Sequence, residues 1–82
     1  MDVKIGKIIH YYNKIGVAVL KLDKPLSVGD KIKISGHDNE FTQEVVSMQM
    51  EHQQIKKAKK GDDIGLKVDR PVKENDEVYK VT

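Results

Sequence analysis

The 82-residue chain predicts an all-β domain, a barrel or a sandwich of six or seven short strands. Three observations point there. Apolar residues alternate with period two in several short runs, turn-forming residues return about every 8 to 12 positions, and no run holds a convincing helical pattern.

The first strand is expected over Val3–Tyr12, which is rich in β-branched and aromatic residues that pack well on a pleated surface. Asn13-Lys14 breaks the chain. IGVAVLKLD, residues 15 to 23, then reads as a second strand paired to the first as a hairpin. Both of its faces are apolar, so it either lies between two packed layers or shows Ala18, Leu20 or Val19 to a partner. Pro25 cannot donate to a ladder and ends that strand near Lys24.

Asp30–Ser35 alternates polar and apolar, placing Ile32 and Ile34 on one buried face. After the turn cluster Gly36-His37-Asp38-Asn39, FTQEVVSMQM reads as one extended run in which Val46, Met48 and Met50 share a side. Helix propensity competes over EHQQIKKAKK, but Gly61 cuts that run short, so extended chain through Ile55 and a turn around Ala58 are expected. Ile64, Leu66 and Val68 alternate in the next strand, Arg70-Pro71 closes it, and EVYKV ends the chain.

One phrase is written three times: Gly29-Asp30, Gly61-Asp62 and Asn75-Asp76 each open a strand. A tight turn often needs one residue with positive φ, where Gly has no penalty and Asn a small one. The Asp that follows can accept hydrogen bonds from turn N–H groups without ladder partners. These six residues are read as structural turns. A calcium loop would need a ligand spacing that is absent here.

Size and composition bound the function. A chain this short makes one domain, residues 1–82, with little room for a large internal cavity. Charged residues are 34% and hydrophobic ones 38%, which suits a compact domain and argues against disorder. With no cysteine there is no disulfide, thiolate metal site or Cys nucleophile, and a reducing cytoplasm is the expected location. No signal-peptide core and no apolar run of membrane-spanning length is present, so no membrane association is expected.

Catalytic and metal chemistry find little footing. His10, His37 and His52 lack metal-ligand spacing, and Ser27, Ser35 and Ser47 lack a nucleophile-elbow context. No cofactor is expected, and the chain reads as a non-enzyme. The net charge of +2 names no partner by itself, but Lys56, Lys57, Lys59 and Lys60 crowd one segment. Lysines on a turn ordinarily form a solvated surface; if they meet RNA, the contact is to the backbone and falls steeply with salt.

Taken in order, Gly6-x-Ile8, GVAVLKL, LSVGDKIKISG, VVSMQM, Ala58-x-x-Gly61-Asp62-x-Ile64-Gly65-Leu66 and ENDEVY resemble domain 2 of elongation factor Tu and related translational GTPases. The chain is most similar to the small stand-alone proteins called translation elongation factor-like, in which SGHDNEFTQ and SMQMEH have near counterparts. The resemblance implies a closed antiparallel β-barrel with Greek-key features. In the full-length factors this domain helps hold the aminoacyl end of tRNA. Gln49, Glu51 and His52 fall where the factors line that pocket, with Gln49 replacing an acidic residue and His52 an arginine. No GxxxxGK[ST] phosphate loop occurs, so no nucleotide is expected to bind this chain alone.

The expectation is therefore a non-enzymatic barrel acting in translation, touching tRNA, rRNA or the ribosome. Lys56, Lys57, Lys59, Lys60, Glu51, His52, Gln53 and Gln54 form the contact surface on this reading. The alternative is an accessory domain that docks on a larger enzyme, such as a collagenase-like peptidase or a separately encoded GTPase, through the apolar strand face.

Overall fold

The computed structural model describes residues 2–36, 40–51 and 53–81. All its regular elements are strands: β1 (Asp2–Tyr12), β2 (Val17–Leu22), β3 (Leu26–Ser27), β4 (Lys31–Ser35), β5 (Glu40–Glu44), β6 (Met48–Met50), β7 (Gln53–Ile55), β8 (Lys57–Ala58), β9 (Asp63–Lys67) and β10 (Glu77–Val81). Eight form one antiparallel sheet in the order β5-β4-β10-β1-β2-β9-β6-β7, and β3 pairs with β8. The turn cluster at His37, Asp38 and Asn39 lies outside the described residues.

Period-two patterning decides what is buried. Ile32 and Ile34 of β4, Ala18, Leu20 and Leu22 of β2, and Ile64 and Leu66 of β9 all point into a single core. On the opposite side of β2, Val17 and Val19 are only half-buried. The sequence expectation that Ala18 or Leu20 faces a partner is thus corrected: both are core, and the apolar outer face belongs to Val17 and Val19.

β1 joins the two halves of the sheet, pairing with β10 on one side and β2 on the other. Its register shifts between Lys4 and Gly6 against β10, and between Ile8 and His10 against β2, so this long strand bends twice. Gly6 permits the close approach: a Cβ there would overlap the Lys21 carbonyl oxygen and press on Leu20 Cδ1 at 2.9 Å.

Three turns share one hydrogen-bond pattern. Ser27–Asp30, Lys59–Asp62 and Lys73–Asp76 each have a positive φ at the third residue, 98° at Gly29, 90° at Gly61 and 76° at Asn75. In each, the Asp N–H donates to the carbonyl three residues back, at 3.1, 3.1 and 3.2 Å. The Asp carboxylate accepts the N–H of that same residue, at 2.9, 3.0 and 2.9 Å. Two opposed bonds close every turn.

Among the described residues the ladder is open, with β5 and β7 as its ends, and no closed barrel is found. The sheet nevertheless curls: Phe41 and Val45 from one end share the core with Leu66 and Val68 from the other half. A side chain ties β5 across the gap. Gln43, buried, donates from Nε2 to the Lys67 carbonyl at 2.8 Å and accepts the Asp69 N–H on Oε1 at 2.8 Å, doing with one amide what a ladder partner would do. The Arg70 guanidinium stacks 5.7 Å from the Phe41 ring beside it.

Ten strands replace the expected six or seven because several are only two or three residues long. The run FTQEVVSMQM is not one strand. It breaks after Glu44, where Val45 donates its N–H to Asp30 and accepts that of Gly29, both at 2.8 Å. Val45 thereby turns inward and Val46 stays 63% exposed, away from buried Met48. Ala58 is not a turn residue either; it is a buried strand residue opposite Leu26.

Candidate binding surface

The lysine segment follows the hairpin of β6 and β7. Lys56, Lys57, Lys59 and Lys60 are all exposed, and none joins an ion pair among the described residues. The backbone here is occupied: Lys56 C=O accepts the Val28 N–H at 2.9 Å, and Lys59 N–H is held by Asp62. Gln53 and Gln54 are exposed on β7. His52 lies outside the described residues.

Concavity lies on the other side of that hairpin. β6 pairs with β9 only at Met48↔Leu66 and Gln49↔Gly65. It then peels away, and Glu51 takes a left-handed φ of 52° at the hairpin tip. The departure opens a groove of about 380 Å³ over the outer face of β2 and β9. Its walls are Tyr12, Ile15, Val17, Val19 and Met50, and its polar rim is Gln49, Glu51 and Asp63. Bare backbone at Gly65 keeps the floor open, since a Cβ there would meet Gln49 Cγ at 3.1 Å and Val17 Cγ1 at 3.3 Å. Gln49 separates this groove from a smaller hollow of about 70 Å³ lined by Ser47, Gln54 and Lys67.

Of the seven described contact residues expected from sequence, only Glu51 reaches the groove and only Gln54 the hollow. The four lysines line neither. Tyr12, Ile15, Gln49 and Asp63 were missing from that set; the available signal was the two-sided apolar pattern of residues 15 to 22.

The opposite half of the sheet presents a different outer face. Lys33 Nζ meets Asp2 Oδ2 at 2.7 Å, Lys4 Nζ meets Glu77 Oε2 at 2.9 Å, and Tyr79 donates its hydroxyl to Glu77 Oε1 at 3.1 Å. Lys33 also lies 5.5 Å from the Tyr79 ring centroid. The Lys33 hydrogen bond holds the Asp2 carboxyl below its ordinary value, and the Lys4 bond, helped by Tyr79, does so for Glu77. Lys33 and Lys4 are raised in turn by their hydrogen bonds to Asp2 and Glu77.

His10 touches Glu74 at 3.4 Å and stacks edge-on against Tyr12 at 4.4 Å, both at the surface. Among the described residues no three His, Cys, Asp or Glu side chains converge as a metal site would require. Asp30, Asp62 and Asp76 are each held in their own turn.

No family model matches the chain. An uncharacterized protease of Methanocaldococcus jannaschii is 40% identical over 78 residues, covering 94% of this chain and 19% of that protein. A collagenase of Porphyromonas gingivalis is 33% identical over 78 residues, covering 93% of this chain and 22% of its own length. The chain therefore spans about a fifth of the length of the curated relatives it matches. Among solved structures, the C-terminal domain of a putative U32 peptidase from Geobacillus thermoleovorans superposes with a TM-score of 0.89 at 21% identity, covering 95% of this chain and 91% of that one. The selenomethionine form of that domain gives 0.87 at 20% identity, covering 92% and 95%.

These matches overturn the resemblance to elongation factor Tu and leave the expected role in translation without support. The reason is physical. Strands opened by Gly-Asp turns are an architectural grammar, and unrelated functions can share it. The curated relatives are a protease and a collagenase, and the solved domain from a putative U32 peptidase shows the same fold.

Proposed function

We propose that the chain is a non-catalytic accessory domain that docks, through its outer surface, onto a larger peptidase of the collagenase-like kind. One observation carries this reading: nearly the whole chain matches a stretch that makes up 19% of a protease, at 40% identity. The structure of a similar domain, from a putative U32 peptidase, also covers nearly its entire length. A domain of this sort contributes a surface, and the surface best suited to protein contact is the apolar groove on β2 and β9, with Tyr12 50% and Ile15 57% exposed at its margin.

The test is reconstitution. The Methanocaldococcus jannaschii protease, produced without the stretch this chain matches, is mixed with the chain and run on a sizing column at ~50 µM, a range that detects weak docking. Co-elution is expected, and the chain alone should leave gelatin intact. Separate elution, or gelatin cleavage by the isolated chain, would refute the reading.

A further inference from the structure

We infer that the groove between β2, β9 and the β6–β7 hairpin tip takes an extended polypeptide segment carrying a bulky apolar side chain next to a lysine or arginine. The inference rests on the docking reading and names the chemistry of the partner's contacting segment.

Four features select that occupant. Tyr12, Ile15, Val17, Val19 and Met50 leave apolar surface that an apolar side chain would remove from water. The Gln49 amide stands at the rim with no hydrogen-bond partner among the described residues, and it offers one donor and one acceptor side, the complement of a peptide group. Strand pairing of β6 with β9 ends at Gly65, so the Asp63–Ile64 backbone has a ladder partner only in β2, which favours an extended ligand.

The fourth feature is charge. Glu51 and Asp63 line the groove, and among the described residues neither is in an ion pair and no cation lines it, although the chain as a whole has 15 Lys and Arg against 13 Asp and Glu. Lys21 stands opposite Asp63 in register without lining the groove. Glu51 moreover sits at φ 52°, where Gly or Asn is at ease and another residue costs roughly 1 kcal/mol. A carboxylate kept in a costly conformation at the rim of an apolar groove is a plain candidate for recognising a cation.

The experiment is a 15N–1H correlation titration of the chain with acetyl-Lys-Leu-Lys-Leu-amide, its Glu-for-Lys counterpart, and its Ser-for-Leu counterpart. Shifts are expected at Val17, Val19, Gln49 and Gly65 with the first peptide, and binding about 10-fold weaker with either counterpart. Glu51→Gln combined with Asp63→Asn should remove most of the preference for Lys over Glu, and Gln49→Ala should weaken binding of the first peptide several-fold. All three residues lie at the surface rim, and melts of the variants verify folding. Equal affinity for the acidic peptide, shifts confined to Lys56–Lys60, or variants that bind like the parent would each sink the inference. A peptidase complex that survives these variants unchanged removes the groove and leaves docking standing. Peptide binding at the groove without any peptidase complex does the reverse.

Discussion

The outer faces of β4, β10 and β1 and of β2, β9 and β6 belong to one sheet and share one core, yet they meet solvent in opposite ways. On the first, Lys33 is matched to Asp2, Lys4 to Glu77, and Tyr79 reaches the same Glu77. On the second, Val17 and Val19 stand beside Gly65, and Gln49, Glu51 and Asp63 have no side-chain partner among the described residues. A face whose polar groups are already matched has little left to offer a ligand. A face with apolar area and unmatched polar groups is where binding free energy can still be gained.

Breaking the seam between the faces should have the largest effect. Gly6 lies in β1, which pairs with β10 of the first face and β2 of the second. Gly6→Val drives a branched side chain into the Lys21 carbonyl, and a loss above ~3 kcal/mol is expected, read as loss of the cooperative thermal transition. Gln43→Ala comes next. It strands the Lys67 carbonyl and the Asp69 N–H, and costs ~2–4 kcal/mol in urea melts by separating the β5 end from β9. At Gly61, in the turn that opens β9, an added Cβ meets no atom within 4 Å, so the expected cost of Gly61→Val, at least ~1–2 kcal/mol, is chiefly conformational. A Gly61→Val melt that overlays the parent would show that this turn tolerates a β-branched residue.

Proton titration separates the faces with a smaller effect. Asp2 and Glu77 have lowered pKa values in the folded chain, so their contribution is present above the ordinary carboxylate range and is lost as pH falls through the lowered values. Lys4 and Lys33 are raised, so theirs is present below the ordinary lysine value of 10.5 and fades as pH rises beyond it. These groups are exposed and the effect is modest. Urea midpoints taken from about pH 6 to pH 2 should fall less steeply in Lys4→Met/Lys33→Met than in the parent. Parallel curves would mean that the first face is no better matched than the second.

How much of this could be read from the residues differs between core and groove. Ile32 and Ile34, and Ile64 and Leu66, alternate cleanly, so β4 and β9 and their buried sides are legible in sequence. In β2 the pattern is ambiguous because Val17 and Val19 are as apolar as Ala18 and Leu20; only packing decides which pair faces in. Val45-Val46 hides a strand break for the same reason. A lone Gln in an alternating strand carries no sign that its amide will stand in for a ladder partner, as Gln43 does. The groove is legible only in part: the two-sided apolar pattern of β2 and the positions of Gln49 and Glu51 hint at it, but Tyr12, Gln49 and Asp63 are far apart in the chain and line one groove where β6 leaves β9 after one short contact. The Lys56–Lys60 charge run is visible in a string of letters, whereas concavity is not.

Hydrogen exchange of the chain, alone and mixed with the peptidase body, tests the division of labour between the faces most directly. Slower exchange should appear at Val17–Lys21, Gln49–Glu51 and Asp63–Gly65 while Lys31–Ser35 and Glu77–Val81 stay unchanged. Protection centred on β4 and β10, with the groove exchanging as freely as before, would refute it.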